Sequence, residues 1–293
     1  MLSLCLLPTI GWVMGGETVK RVVILTGSEL RHDFFRKYIA LSEEIEVISS
    51  YCEGLETSLR TVVEKDGDSE DLRLNHLAAR EQSEQDLLGL FCEAAADCSN
   101  PVFLPKGDIN EPIYTQAVID IQPDLVIAYG CSLIREPLLS AFKGRFLNAH
   151  LGLSPYYRGS GTNFWPLVNG EPEYVGATFM YIDSGIDTGE IIHQIRAKYV
   201  WGDTPSQIGN RLIIEMSRVF REIIIHFEKL ETMPQLPIPS DEKVYKKRDY
   251  TAESVATIYN NFQNGLIAKY LSEESERCAR VPILQNHALE VVA

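Results

Sequence analysis

The sequence predicts an α/β fold in which helices pack on both faces of a doubly wound, mostly parallel sheet. Three observations support this prediction. Short apolar runs rich in β-branched residues recur along the chain, stretches with helical apolar spacing separate them, and turn residues mark the boundaries. Because crossover helices force the strands they join to run parallel, we expect the chemistry at the carboxyl ends of those strands.

The first half of the chain supplies alternating strands and helices. The run RVVIL at residues 21–25 reads as the first strand, and the Thr26-Gly27 turn leads into a helix through Phe34 and Tyr38. The polar stretch at 53–71 is expected to be a loop or a loosely ordered insertion. Further strands are predicted at residues 45–49, 102–104 and 125–129, and further helices at residues 84–95 and 113–121.

In the second half the pattern changes. Residues 146–148 end another strand, and a long loop (152–162, the proline loop) follows. Residues 175–182 and 191–200 are strand-like on either side of a glycine-rich turn (183–189, the aspartate turn), so we expect an antiparallel extension of the sheet. Thr204 followed by proline predicts the start of a long helix, the last element of the main domain. Short helices are predicted at residues 253–261 and 265–271.

The chain is 293 residues long, which suits one main domain with an appendage. We assign residues 19–232 to a catalytic domain and residues 233–293 to a small C-terminal extension. Residues 1–18 are expected to precede the fold, with Met14 as a candidate start. That stretch lacks a basic leader and is too short to span a bilayer, so we expect no membrane association. Six scattered cysteines favour a reduced cytoplasm and offer no spacing for a metal site.

The formal net charge of −14 argues against nucleic acid as a partner, because binding to phosphate backbones relies on basic patches. One local cluster is basic although the chain as a whole is acidic. It consists of Lys243, Lys246, Lys247 and Arg248. A short charged run is usually a solvated surface, so we expect no phosphate role for it.

Asn148 and His150 are the first candidates for chemistry. They lie two residues apart at a predicted strand end, so both side chains face one side. An amide can stabilise an oxyanion, an imidazole can move an amine proton, and a nearby carboxylate would orient that imidazole. Asp187 could be this carboxylate or a turn residue that bonds its own backbone, whereas Asp183 is expected to be a turn residue.

Three motifs together resemble the formyltransferase family. They are Asn148-Ala149-His150, the Leu153-to-Gly159 stretch LSPYYRG, and the turn DSGIDTG at 183–189. The resemblance implies a Rossmann-like formyltransferase core over residues 20–225 and 10-formyltetrahydrofolate as formyl donor. It also implies that Asn148 holds the formyl oxygen, that His150 stabilises the tetrahedral intermediate, and that Asp187 positions His150 and relays the proton.

The resemblance further implies a site for the pterin ring between the aspartate turn and residues 129–134. The residues expected to bind this cosubstrate are Ser132, Leu133, Ile134, Gly185 and Asp187. Cys131 lies in the same segment, but no activating group is evident beside it. We therefore interpret Cys131 as a packing residue rather than a nucleophile.

The amine acceptor is the most open question. Residues 163–165 (NFW) are similar to formyltransferases that modify nucleotide-linked amino sugars, so a small amino-sugar acceptor is expected. Trp165 could equally anchor a helix to the sheet, and Arg31 could be an anion contact or an ordinary surface residue. The residues expected to bind the acceptor are Ser154, Tyr157, Arg158, Asn163 and Trp165.

Other activities remain open at this stage. Methionyl-tRNA formyltransferases resemble this core but usually carry a C-terminal barrel, and glycinamide-ribonucleotide enzymes differ in the proline loop. A formyltetrahydrofolate hydrolase would use water as acceptor, and a non-enzymatic folate or sugar-nucleotide binding protein would not need the three polar residues. The sequence allows a homodimer but does not specify one.

Overall fold

The computed structural model describes residues 19–66, 72–237 and 243–290. The expectation for residues 1–18 lies outside this range. A seven-stranded sheet of order β3-β2-β1-β4-β5-β7-β8 forms the centre, and β6 pairs with β9 in a separate two-stranded sheet. The strands are β1 (Lys20–Gly27), β2 (Ile45–Glu53), β3 (Pro101–Leu104), β4 (Leu125–Tyr129), β5 (Phe146–His150), β6 (Tyr157–Gly159), β7 (Gly176–Tyr181), β8 (Ile191–Arg196) and β9 (Lys243–Tyr245).

Helices cover both faces of the central sheet. They are α1 (Leu30–Ala40), α2 (Leu59–Lys65), α3 (Leu72–Glu84), α4 (Leu90–Ala94), α5 (Pro112–Ile121), α6 (Leu138–Ala141), α7 (Trp165–Val168), α8 (Pro205–Ile225), α9 (Ala252–Gln263), α10 (Leu266–Arg280) and α11 (His287–Glu290). A π-helical turn, Gln85–Gly89, joins α3 to α4. The two faces bury separate apolar clusters, one centred on Phe35, Phe179 and Phe220, the other on Phe142 and Phe146. None of the described helices is both long and apolar enough to cross a bilayer.

The predicted fold class is confirmed. Strands β1 to β5 pair in parallel within the sheet, and β7 and β8 extend it antiparallel, as the sequence indicated. Thr204 caps α8, accepting a bond from the Gln207 N–H, and Pro205 is its first residue.

Several boundaries differ from the prediction. The stretch expected to be a loop at 53–71 contains α2, and the helix expected to begin at residue 84 already begins at Leu72 as α3. Both helices contain many charged residues, so the spacing of their few apolar residues does not reveal a helix in the sequence. Helix α10 continues to Arg280, beyond the predicted end.

The chain after residue 232 packs against the main body. Tyr250 and Val255 share a buried cluster with Tyr157 and Trp165, and β9 pairs with β6. The boundary near residue 232 stays a prediction, but the described part of the C-terminal segment contributes to the same core as the proline loop.

Candidate active site

Strand β5 carries Asn148 and His150 to the edge of a cavity of about 660 Å³. Asn148 pairs with Ala128 of β4 on one side and with Met180 of β7 on the other, so the backbone is fixed from both directions. Both side chains line the cavity, as their spacing predicted. Asn148 is half-buried and His150 is buried. A rigid strand therefore holds an amide and an imidazole beside one another.

Asp187 meets His150 in this cavity. The Nδ1 atom of His150 lies 3.3 Å from Oδ1 of Asp187, and both side chains are largely buried. The other ring nitrogen, Nε2, lies 3.3 Å from the carbonyl oxygen of Tyr157. Each ring nitrogen thus lies within hydrogen-bond distance of an oxygen atom, and these two contacts fix the orientation of the ring.

The aspartate turn doubles back to make this contact. Strand β7 ends at Tyr181, which pairs with Leu147 rather than with His150. The turn then returns along β5, and Asp187 adopts φ +54°, a left-handed conformation that is uncommon for a residue other than glycine. Gln235 stabilises this path, since its amide donates to the carbonyl oxygens of Asp187 and Gly189 at 2.8 and 2.9 Å.

Asp183 is the turn residue that the sequence predicted. Its Oδ1 accepts hydrogen bonds from the Gly185 N–H at 2.9 Å and from the Thr188 hydroxyl at 2.7 Å. The two carboxylates of the aspartate turn therefore differ: Asp183 organises its own loop, whereas Asp187 faces His150.

The proline loop closes the other side of the site. The Gly159 N–H donates to Oδ2 of Asp187 at 3.3 Å. Gly159 itself adopts φ +90°, and a β-carbon there would lie 2.2 Å from the carbonyl oxygen of Tyr245 in β9. The C-terminal segment thus contacts the very residue that bonds the candidate catalytic carboxylate.

Tyr245 lies in a stack of aromatic rings. Its ring is parallel to that of Trp165 at a centroid distance of 4.2 Å and to that of Tyr157 at 6.0 Å. The indole Nε1 of Trp165 donates to the carbonyl oxygen of Ser160 at 3.0 Å. This stack joins β6, α7 and β9 into one support beneath the cavity.

The residues predicted to bind the pterin fall into two groups. Ser132 and Asp187 line the cavity, together with Cys131. Leu133, Ile134 and Gly185 do not line it: Leu133 and Gly185 are exposed, and Ile134 packs in the core beside Ile182. Burial raises the pKa of the Cys131 thiol to about 12, so this thiol stays protonated, which agrees with its interpretation as a packing residue.

The residues predicted to bind the acceptor require a correction. Ser154 and Tyr157 have no exposed surface, so neither can contact a ligand in this structure. The Ser154 backbone bonds Thr178 and Gln194, and the Tyr157 hydroxyl bonds Glu171 and Asn169, so both residues hold the proline loop in place.

Asn163 and Trp165 do line the cavity, whereas Arg158 is half-buried and not among its lining residues. Asn163 Oδ1 also accepts a bond from the Gly176 N–H at 3.3 Å. Trp165 is 6% exposed and its ring stacks on that of Tyr245, so it anchors α7 to β9.

Arg31 also proves to be an internal partner rather than a free cation. Its guanidinium lies 2.6 Å from Glu29 and 2.9 Å from Glu84. Glu29 caps the start of α1 through a reciprocal pair of bonds with His32. Burial lowers the pKa of His32, so its ring is neutral and accepts from the Glu29 N–H. The protein's own carboxylate therefore occupies the helix start that the sequence suggested for a phosphate.

Sequence reasoning missed several cavity residues from distant segments. They include His76, Arg80, Lys106, Ser206, Lys246 and Lys247. We expected Lys246 and Lys247 to belong only to a solvated surface, but the pairing of β9 with β6 brings them to the cavity wall. No local pattern in the sequence signals this pairing.

Comparison with known proteins supports the motif-based resemblance. Residues 91–224, which include Asn148, His150 and Asp187, match the family model described as formyl transferase. A methionyl-tRNA formyltransferase from Desulforamulus reducens is 35% identical over 140 residues, or 47% of this chain and 43% of that protein. The chain spans about half the length of the curated relatives it matches.

Solved structures share the fold. A sugar N-formyltransferase from a Shewanella species aligns with a TM-score of 0.52 at 14% identity, covering 79% of this chain and 78% of that one. A glycinamide ribonucleotide transformylase from Symbiobacterium toebii aligns with a TM-score of 0.50 at 18% identity, covering 76% of this chain and 98% of that one. At these identities the likeness concerns the fold.

Proposed function

Because residues 91–224 match the formyl transferase family model, we propose that the protein transfers a formyl group from 10-formyltetrahydrofolate to an amine, with Asn148, His150 and Asp187 as catalytic residues. The observation that carries the proposal is the contact of 3.3 Å between His150 Nδ1 and Asp187 Oδ1, beside Asn148 in one cavity. These three side chains supply an oxyanion donor, a proton-transfer group and a group that orients it.

In the proposed reaction the acceptor nitrogen attacks the formyl carbon and forms a tetrahedral intermediate. The Asn148 amide donates a hydrogen bond to the oxygen that becomes negative, and the His150 Nε2–H does the same when it leaves the Tyr157 carbonyl oxygen. The bond between the formyl carbon and the folate nitrogen then breaks, and the proton lost by the amine ends on that folate nitrogen. Asp187 holds the His150 ring in its orientation throughout.

We assign the folate to the part of the cavity beside Ser132 and Asp187. Gly130, Cys131 and Ser132 line the wall where β4 ends, next to the strand that carries Asn148. Ser132 and Asp187 also line the cavity and offer polar groups to a bound folate. Leu133, Ile134 and Gly185, which the family resemblance suggested, would need the adjacent loops to move before they could contact it.

For the acceptor we favour a nucleotide-linked amino sugar. Two features support a small molecule: the net charge of −14 opposes binding to a long phosphate backbone, and the cavity is concave with Asn163 and Trp165 on its wall. Methionyl-tRNA formyl transfer is the second candidate. It is favoured by the curated relatives, which are methionyl-tRNA formyltransferases matched over about half their length.

Incubation with 10-formyltetrahydrofolate and separate acceptors tests this proposal. The acceptors are a panel of amino-sugar nucleotides, unformylated initiator tRNA and glycinamide ribonucleotide, and products are identified by mass spectrometry. We expect formylation of at least one amino-sugar nucleotide, and none with His150→Gln. Efficient formylation of tRNA alone would replace the acceptor assignment. Consumption of the donor without any acceptor would indicate a hydrolase.

A further inference from the structure

Lys246 and Lys247 bring positive charge to the cavity wall, and neither forms an ion pair with a carboxylate of the described residues. Their sequence neighbours are paired, since Lys243 contacts Glu171 and Arg248 lies 3.9 Å from Asp249. In the part of the chain that the structure describes, no carboxylate oxygen lies within 4 Å of either the Lys246 or the Lys247 ammonium. Among the residues that the structure describes, the Lys247 ammonium donates to the carbonyl oxygen of Thr57, which carries no charge.

Lys106 adds a third ammonium to the same wall. It lies 2.8 Å from Glu53, which is fully buried and also accepts bonds from the Gly107 and Ser132 N–H groups. Burial, followed by the charge of Lys106, lowers the pKa of Lys247. Both lysines line one cavity, so an anion bound there would relieve the repulsion between their charges.

The other charged groups of the cavity neutralise one another. Arg31 pairs with Glu29 and Glu84, and Arg80 Nε lies 3.6 Å from Glu84. Because Glu29 also caps α1, an anionic ligand has no free helix start at the β1–α1 turn. Within the described cavity lining, the charge available to a ligand lies on Lys246 and Lys247.

We propose that Lys246 and Lys247, together with Lys106 on the lining of the same cavity, form a subsite for the diphosphate of the amine acceptor. This inference rests on the proposed function and specifies its substrate class as a nucleoside diphosphate sugar. A bridging diphosphate carries two negative charges, which match the two ammonium groups on this cavity lining that form no ion pair among the described residues. The subsite shares one cavity with Asn148 and His150, so a diphosphate bound there keeps the attached sugar in the same enclosed space.

Titration calorimetry on the full chain tests the subsite with inorganic pyrophosphate as probe. We expect wild-type binding to weaken at least about tenfold in the double variant Lys246→Gln/Lys247→Gln, equivalent to about 1.4 kcal/mol. The matched control is Arg248→Gln, which removes the same charge from the adjacent residue, a side chain that is 79% exposed and not part of the cavity lining. It should keep the wild-type affinity within about twofold.

A second variant guards against a folding artefact. Lys247→Arg preserves the charge and should retain most of the affinity, and thermal unfolding of every variant verifies the fold. If Arg248→Gln weakened pyrophosphate binding as much as the double lysine variant does, the change in net charge would explain the effect, and the subsite would be overturned. Lysine-dependent binding of tRNA without any binding of pyrophosphate would overturn it as well, because the wall would then serve an RNA backbone.

The subsite and the proposed formyl transfer can fail separately. Lysine-dependent pyrophosphate binding without formylation of any amino-sugar nucleotide supports the subsite and counts only against the acceptor proposal. Formylation of such a nucleotide with a wild-type KM in the double lysine variant overturns the subsite alone. We expect the KM of that variant to rise at least about tenfold.

Discussion

The contact between Gly159 and β9 can be tested by adding one methyl group. In Gly159→Ala the new β-carbon would lie 2.2 Å from the carbonyl oxygen of Tyr245, at a residue with φ +90°. Gly144→Ala is the matched control. Gly144 also has positive φ, +76°, but a β-carbon there meets no atom within 4 Å. Both variants incur the same backbone cost, and only Gly159→Ala meets the C-terminal segment.

The expected magnitudes follow from these contacts. A left-handed alanine costs about 1–2 kcal/mol, so Gly144→Ala should lower the free energy of unfolding by about that amount. In Gly159→Ala the Tyr245 carbonyl must also move by about 1 Å to reach ordinary contact distance. That movement strains its 2.8 Å bond from the Ser160 N–H and the bond from Gly159 to Asp187. With about 1 kcal/mol for each of these two bonds added to the backbone cost, the total loss should be about 3–4 kcal/mol.

The functional consequence should be larger than the structural one. A shift of about 1 Å in Gly159, whose N–H donates to Asp187, should lower turnover by about 100-fold. Gly144→Ala should retain wild-type turnover. Urea denaturation measures the stability difference, and consumption of 10-formyltetrahydrofolate with the identified acceptor measures turnover. Equal losses of stability and activity in the two variants would refute a role for β9 in holding the proline loop.

Two further predictions concern single side chains. Asp187→Asn should lower turnover at least about 100-fold, because an amide orients the His150 ring less firmly than a carboxylate does. The control Asp183→Asn keeps an oxygen acceptor for the Gly185 N–H and should stay within about threefold of the wild-type turnover. Similar turnover in both variants would remove Asp187 from the mechanism. Burial, assisted by the charge of Arg80, lowers the pKa of His76 to about 4. As the pH falls from 7 to 5, the unfolded chain therefore takes up a proton that the folded protein does not, and the free energy of unfolding decreases. Urea denaturation should show about 2 kcal/mol more loss over this interval for wild type than for His76→Gln, and identical losses would contradict a buried neutral His76. His32, whose pKa is also lowered by burial, contributes to both proteins and cancels in the difference.

Local sequence patterns predicted the sheet because each buried strand is a continuous apolar run. Residues 125–129 coincide with β4, and Thr204 with Pro205 marks the start of α8. The period of two along β5 also predicted that Asn148 and His150 face the same cavity. These features depend on neighbours in the sequence, which is why they can be read from it.

The remainder of the candidate site depends on tertiary contacts. Spacing alone left Asp187 as either a turn residue or a partner of His150, because the choice depends on how the aspartate turn doubles back along β5. Ser154 is buried because β7 and β8 bond its backbone, and Lys247 lines the cavity because β9 pairs with β6. These contacts join segments that are far apart in the sequence. The apolar periodicity of one segment does not indicate which distant segment it will pair with.

The left-handed conformation of Asp187 makes this position informative in a selection experiment. At φ +54° a glycine would lower the backbone cost by about 1 kcal/mol, but it would also remove the carboxylate that contacts His150 and accepts the Gly159 N–H, and each bond is worth about 1 kcal/mol. A library selected for thermal stability alone should therefore show little preference for aspartate over glycine, whereas a library selected for formyl transfer should retain aspartate. Engineering this protein for heat resistance would accordingly need an activity screen at every round, since thermal selection does not protect the catalytic centre proposed above.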